Sequence, residues 1–146
     1  MTGKGTYANN SDLSLPPDTR PLVLVVEDNP IQQRISVAYA EKLGAEVHAA
    51  ASCKEAIQLM ERYTYALVLM DWRMPEVDGL ACTKCVREVD TAKGQHTPIV
   101  ALTARALTGD RDKCIAAGMD DYLSKPFTVA QLKEVFGRWI PDQFDA

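Results

Sequence analysis

Five short runs of strand character are spaced along the chain: LVLVV at Leu22–Val26, a weaker EVHAA at Glu46–Ala50, LVLM at Leu67–Met70, PIVAL at Pro98–Leu102, and DYL at Asp121–Leu123. Continuous apolar runs bounded by turn signals suit strands covered on both faces. Between them the pattern changes to helical. Pro30 opens a helix where its missing N–H does no harm, and Gly44 stops it. Ile31, Ile35, Ala38 and Leu43 are expected on its inward face. Ser52 caps a second helix through Arg62, and Glu55 completes a capping-box pattern. A third helix is predicted over residues 79–89, with Leu80, Cys82 or Thr83, and Val86 inward. A fourth lies within Leu107–Ala117 and ends at Gly118. The last runs over Val129–Trp139 and ends before Pro141. Strands alternating with helices predict an α/β fold: a doubly wound, five-stranded parallel sheet with helices on both faces.

With 146 residues, the chain suits one domain plus short appendages. Residues 1–20 are poor in large apolar groups and read as a flexible linker, residues 21–141 as the domain, and residues 142–146 as a tail. The net charge of −4 offers no electrostatic footprint for nucleic acid. No apolar run is long enough to cross a bilayer, and MTGKGTYANN lacks the apolar core of a signal peptide. The expectation is a cytoplasmic domain without direct membrane contact, with the option of a tether to a membrane sensor upstream.

Cys82 and Cys85 form a CxxC, but inside a predicted helix and with no second close pair to complete a zinc site. Cys53, Cys82, Cys85 and Cys114 are therefore expected to be reduced. His48 and His96 have no ligand spacing.

In a parallel sheet all strand C-termini share one edge, where open α/β folds bind ligands. The first strand ends in Glu27-Asp28, the third in Asp71 and the fourth in Thr103, while Lys125 follows the fifth. Singly, each has an ordinary explanation, such as a loop cap, a turn former or a surface charge. Together they mark one edge with three carboxylates, a hydroxyl and an ammonium. Carboxylates crowded at one point repel one another and invite a hard divalent cation, with Mg2+ favoured by oxygen ligands and phosphate. Asp71 is then placed as a nucleophile giving an acyl phosphate, Lys125 as a cation for a phosphoryl oxygen, and Thr103 as a hydrogen-bond donor.

Glu27-Asp28 after LVLVV, MDWRMPEVDG around Asp71, ALTA ending at Thr103-Ala104, and DDYLSKPF with Lys125-Pro126 occur in this order. On these motifs, the stretch from residue 21 to 140 resembles the receiver domain of two-component response regulators. The resemblance implies a flavodoxin-like sheet of order 2-1-3-4-5. It implies that Asp71 takes a phosphoryl group from a histidine kinase or histidine phosphotransfer domain. Asp28, Asp71 and the Arg73 backbone carbonyl would hold Mg2+, with Glu27 acting through water. Thr103 and the Ala104 amide would hold the phosphoryl group, and Lys125 would pair with it. The Lys125-Pro126 bond is expected to be cis, and Thr103 and Tyr122 to be the switch pair.

TPIVALTARALTGDRDKCIAAGMDDYLSKPF looks most like receivers at the C-terminus of hybrid sensor histidine kinases, with a free-standing single-domain regulator as the close rival. The resemblance thus implies a self-phosphorylating phosphoacceptor rather than a turnover enzyme, in a full-length protein that is a kinase if it is such a hybrid. A monomer is expected. Trp72 follows the phosphoacceptor, and Arg73 and Arg105 flank the pocket and are expected to shape partner contact. Two alternatives stand beside this reading. A haloacid-dehalogenase-like phosphatase needs a second Asp two residues after the nucleophile, where Arg73 stands. A degenerate receiver acting only as a binding module would not need the intact set of acids, Thr103 and Lys125.

Overall fold

The computed structural model describes residues 20–71, 79–103 and 108–140. The elements are β1 (Leu22–Val26), α1 (Pro30–Lys42), β2 (Glu46–Ala50), α2 (Cys53–Arg62), β3 (Leu67–Asp71), α3 (Gly79–Ala92), β4 (Ile99–Thr103), α4 (Thr108–Ala117), β5 (Asp121–Ser124) and α5 (Val129–Trp139). All the strands pair in parallel, in the order β2-β1-β3-β4-β5. The expected linker, apart from Arg20, and the expected tail lie outside the described residues.

Burial follows strand position. Every residue of β3 and β4 is buried, whereas the edge strands β2 and β5 are only partly covered. Side chains alternate across the sheet. Leu24, Val26, Val68, Met70, Ile99 and Ala101 pack with Ala56 and Met60 of α2 and Val86 of α3. Val23, Val25, Leu67, Leu69, Val100 and Leu102 pack with Ala40 of α1 and with Leu132, Val135 and Phe136 of α5. Full burial of each larger aliphatic side chain contributes roughly 1.5–3 kcal/mol. The continuous apolar runs are thus what a two-sided sheet requires. Among the described residues, no helix is long and apolar enough to cross a membrane.

Helix α1 differs from its expected orientation. Its buried positions are Ser36 and Ala40, with Val37, Tyr39 and Leu43 packed beside them. Ile31 and Ile35 are 66% and 39% exposed. The inward face is turned by roughly one residue, about 100°, from the one the isoleucines suggest. Small side chains at Ser36 and Ala40 let the helix lie close against the sheet. Its start is secured by Asn29, whose Oδ1 accepts from the amides of Ile31 and Gln32 at 2.9 and 3.0 Å. In α2, Ser52 accepts from the Glu55 amide, but the Glu55 carboxylate reaches the Ala51 amide rather than that of Ser52. A complete capping box occurs instead at Thr128 and Gln131 of α5.

The expectation of four reduced cysteines is corrected. Cys53 and Cys82 form a disulfide, with their Cα atoms 5.7 Å apart, a separation suited to such a bond. They lie on the inward faces of two helices packed on the same side of the sheet, a juxtaposition that spacing along the chain does not reveal. Cys85 is a free, exposed thiol.

The N-terminal edge of β4 and β5 is held by a charge network that sequence reading missed. Arg87 donates to the carbonyls of Thr97 (2.6 Å) and Gly118 (2.9 Å), and pairs with Asp90 (3.1 Å) and Asp120. Asp90 is fully buried and also accepts from the Thr97 amide and hydroxyl. Asp120 accepts from the Ile99 amide at 2.8 Å, which ties the starts of the two strands together. Gly118 has φ of +103°, and a Cβ there would meet Arg87 Cγ at 3.4 Å. Substituting Asp90→Ala should lower unfolding free energy by about 3 kcal/mol, because it strands buried donors and an arginine. Urea unfolding monitored by circular dichroism checks this; a loss below about 1 kcal/mol would show the network to be dispensable.

Candidate functional site

The C-terminal strand edge gathers the expected side chains. Glu27 follows β1 directly, and its amide donates to the Ala50 carbonyl at the end of β2 (2.9 Å). Its own carbonyl accepts from Gln33 Nε2 of α1 (2.9 Å), and its Oε2 accepts from the Asn29 amide (3.3 Å). The turn from β1 into α1 therefore holds the acidic pair by its backbone. Asp71 ends β3, paired in register with Leu102, and Thr103 ends β4 opposite Ser124. The Lys125 amide donates to the Thr103 carbonyl (2.6 Å), so the lysine leaves β5 anchored to β4. The Lys125-Pro126 bond is cis, as expected.

Glu27, Asp71 and Thr103 are 1%, 4% and 5% exposed, whereas Asp28 is half-buried. One oxygen from each of Glu27, Asp28 and Asp71 can be chosen so that all lie within 4.8 Å of one another. Lys125 Nζ sits 3.0 Å from Asp71 Oδ1 and 3.1 Å from Glu27 Oε1. Three carboxylates share one ammonium, so full ionisation would leave the cluster under-neutralised.

The consequence is visible in the proton equilibria. Burial raises the Glu27 carboxyl, and the hydrogen bond to Asp71 and its charge add to this, against the attraction of Lys125; the outcome is about 7. For Lys125, burial acts to lower the ammonium, but hydrogen bonds to and charges on Asp71 and Glu27 outweigh it and raise it above the usual lysine range. The Glu27 carboxyl therefore holds its proton more readily than an ordinary glutamate, and a divalent cation would compete with that proton. The donor set is all oxygen, which fits a hard cation such as Mg2+.

Tyr122 is half-buried and packs against the core on the α2–α3 side. It stands opposite Ala101 in the β4–β5 register. Since Ala101 and Thr103 share a face, Tyr122 and Thr103 lie on the same side of the sheet, one strand apart. Arg73 and Ala104, together with Trp72 and Arg105, lie outside the described residues. Gln33 and Asn29 are supports that sequence reading did not single out as part of the site. Asn29-Pro30 is legible as a helix start, but the reach of Gln33 back to the Glu27 carbonyl depends on how α1 docks.

Residues 23–136 match the response regulator receiver domain. The chain belongs to this family. Hybrid signal transduction histidine kinase K of Dictyostelium discoideum is 38% identical over 116 residues, covering 76% of this chain but 10% of that protein. The chain therefore spans only a small part of the curated relatives it matches. Among solved structures, the receiver domain of sensor histidine kinase PA1611 from Pseudomonas aeruginosa is 41% identical, with a TM-score of 0.75 over 84% of this chain and 99% of that one. That receiver was crystallised with a magnesium ion coordinated in its active site cleft. The Ssk1 receiver of Saccharomyces cerevisiae, solved with the histidine phosphotransfer signalling protein Ypd1, gives 28% identity and a TM-score of 0.78 over 86% of this chain and 92% of that one.

The raised Glu27 carboxyl makes the metal-free receiver pH-sensitive in a definite direction. Stability from protonated Glu27 is fully present below the ordinary value of 4.5 and is lost as pH rises through about 7. Thermal melts in EDTA should show this decline, and Glu27→Gln should flatten it. Because the proton must leave, Mg2+ affinity should fall below pH 7 by up to about tenfold per pH unit. Calorimetric titration in buffers of different ionisation enthalpy would count that proton; zero proton release at pH 6 would contradict the assignment.

Proposed function

We propose that this receiver takes a phosphoryl group from a histidine onto Asp71, then changes conformation or passes the group on. The observation that carries the reading is Lys125 held between the buried Asp71 and Glu27 carboxylates, 3.0 and 3.1 Å away, beside a triad of oxygen donors. The Asp71 carboxylate attacks phosphorus, the phosphorus–nitrogen bond breaks, and the imidazole leaves. An acyl phosphate remains on Asp71. Asp28, Asp71 and the Arg73 carbonyl would hold Mg2+, with Glu27 acting through water. When bound, the ion supplies charge compensation for the phosphoryl oxygens in in-line transfer.

Lys125 is placed to release Asp71 Oδ1 and pair with a phosphoryl oxygen. The Thr103 hydroxyl would donate to another, and the resemblance to the family gives the Ala104 amide a share in the same task. Thr103 and Tyr122, on one face of adjacent strands, would form the switch: movement of the first opens space for the second. A haloacid-dehalogenase-like phosphatase remains disfavoured by Arg73 at the general-acid position.

The partner is a histidine kinase or a histidine phosphotransfer domain, as in the Ssk1–Ypd1 pair. Support comes from α1, whose exposed Ile31 and Ile35 begin three residues after Asp28. Apolar side chains one turn apart beside the pocket suit contact with a helix of the partner.

Incubation with Mg2+ and acetyl phosphate should give a labile adduct of one phosphoryl group by intact mass. Asp71→Asn should abolish it, and full labelling of that variant would place the nucleophile elsewhere. Turnover of the donor with no lasting adduct would favour a phosphatase. Replacing both isoleucines, Ile31→Asp with Ile35→Asp, should slow transfer from a histidine-phosphorylated partner by about tenfold or more while leaving acetyl phosphate labelling intact. Equal loss with both donors would mean that the exposed face is not a docking surface.

A further inference from the structure

We propose that Cys53, Cys82 and Cys85 form a thiol switch that sets how firmly the acidic pocket is held; this rests on the reading of Asp71 as phosphoacceptor. Cys53 is the first residue of α2, and Cys82 lies in the first turn of α3. These helices carry the chain away from the ends of β2 and β3. Both cysteines belong to one buried cluster with Val26, Ala50 and Met70. Val26 and Met70 immediately precede Glu27 and Asp71, and the Ala50 carbonyl holds the Glu27 amide. The bond closes a segment of sequence separation 29 that contains Asp71 and the whole connection to α3.

Cys82 is fully buried and Cys53 is 9% exposed, so a reagent in water meets neither sulfur easily. Cys85 is exposed and free, three residues along α3 from Cys82, a spacing that makes neighbours on a helix. The CxxC thus provides an entry thiol for a buried pair. With hydrogen peroxide as oxidant, Cys85 becomes a sulfenic acid and one water is released. The Cys82 thiol displaces the sulfenic hydroxyl as a second water, giving a Cys82–Cys85 bond. The Cys53 thiol then attacks Cys82 Sγ, and Cys85 leaves as a thiol. In total, two thiols and one peroxide become one disulfide and two waters. The crosslinked form restricts α3 relative to α2 and so pre-organises the carboxylates.

The test compares the full-length protein in dithiothreitol with the same protein oxidised by peroxide and freed of reagent. Peptide mapping should find a Cys53–Cys82 link. The oxidised form should melt on the order of 10 °C higher. It should also bind Mg2+ more tightly and accept phosphate from acetyl phosphate on the order of threefold to tenfold faster. Cys85→Ser should slow formation of the link about tenfold or more without changing its end point. A link that maps elsewhere, or equal Mg2+ affinity and equal labelling in the two forms, would overturn the switch. An unchanged oxidation rate in Cys85→Ser would overturn the entry route. If neither form is phosphorylated, the phosphoacceptor reading fails, while melting and Mg2+ binding still judge the switch. The wild-type comparison needs no substitution, so misfolding of a variant cannot obscure it.

Discussion

Asp71 and Glu27 lie side by side, both almost fully buried, with the Lys125 ammonium about equally near to each. Placing two carboxylates out of water beside a third is costly, and one ammonium does not balance them. The remainder of the fold keeps this arrangement from relaxing. Hydrogen bonds from Gln33 and to Ala50 hold the Glu27 backbone, the β3–β4 register fixes Asp71, and the Lys125 amide is bound to the Thr103 carbonyl. An acidic cluster kept short of positive charge suits a hard cation.

The opposite edge of the sheet shows what acids look like when they serve structure alone. Asp90 is as buried as Glu27, yet it accepts from Arg87 and from both donors of Thr97. Asp120 is met by Arg87, His96 and the Ile99 amide. There, donors match acceptors, and the network ties α3 to the starts of β4 and β5. The two ends of one sheet thus carry buried carboxylates with contrasting balance. The saturated end stabilises, and the under-neutralised end is left with capacity to bind.

Strand interiors and the polar residues that end the strands were legible because their cause is local. A residue buried on both faces must be apolar along its whole run, so LVLVV and LVLM declare themselves, and parallel topology then forces their ends to one edge. Helix faces were less legible. Ile31 and Ile35 outweigh Ser36 and Ala40 in hydrophobicity, yet the sheet takes the small residues because close approach matters more there than side-chain size. The reading of the cysteines failed for a related reason. The CxxC neighbours in sequence are not the bonded pair; Cys53 and Cys82 meet because two helices pack on the same sheet face.

By itself, the sequence determined the α/β alternation, the edge at which the acids and the lysine gather, and the types of group brought there, since each follows from short-range pattern and the direction of parallel strands. Only the tertiary structure decided the quantities that depend on packing between distant segments. These are the raised Glu27 carboxyl, the grip of Lys125 on both acids, the outward face of α1, and the pairing of Cys53 with Cys82. The physical reason is that burial and distance in space set electrostatic and covalent pairing, and neither is a property of residues near one another along the chain.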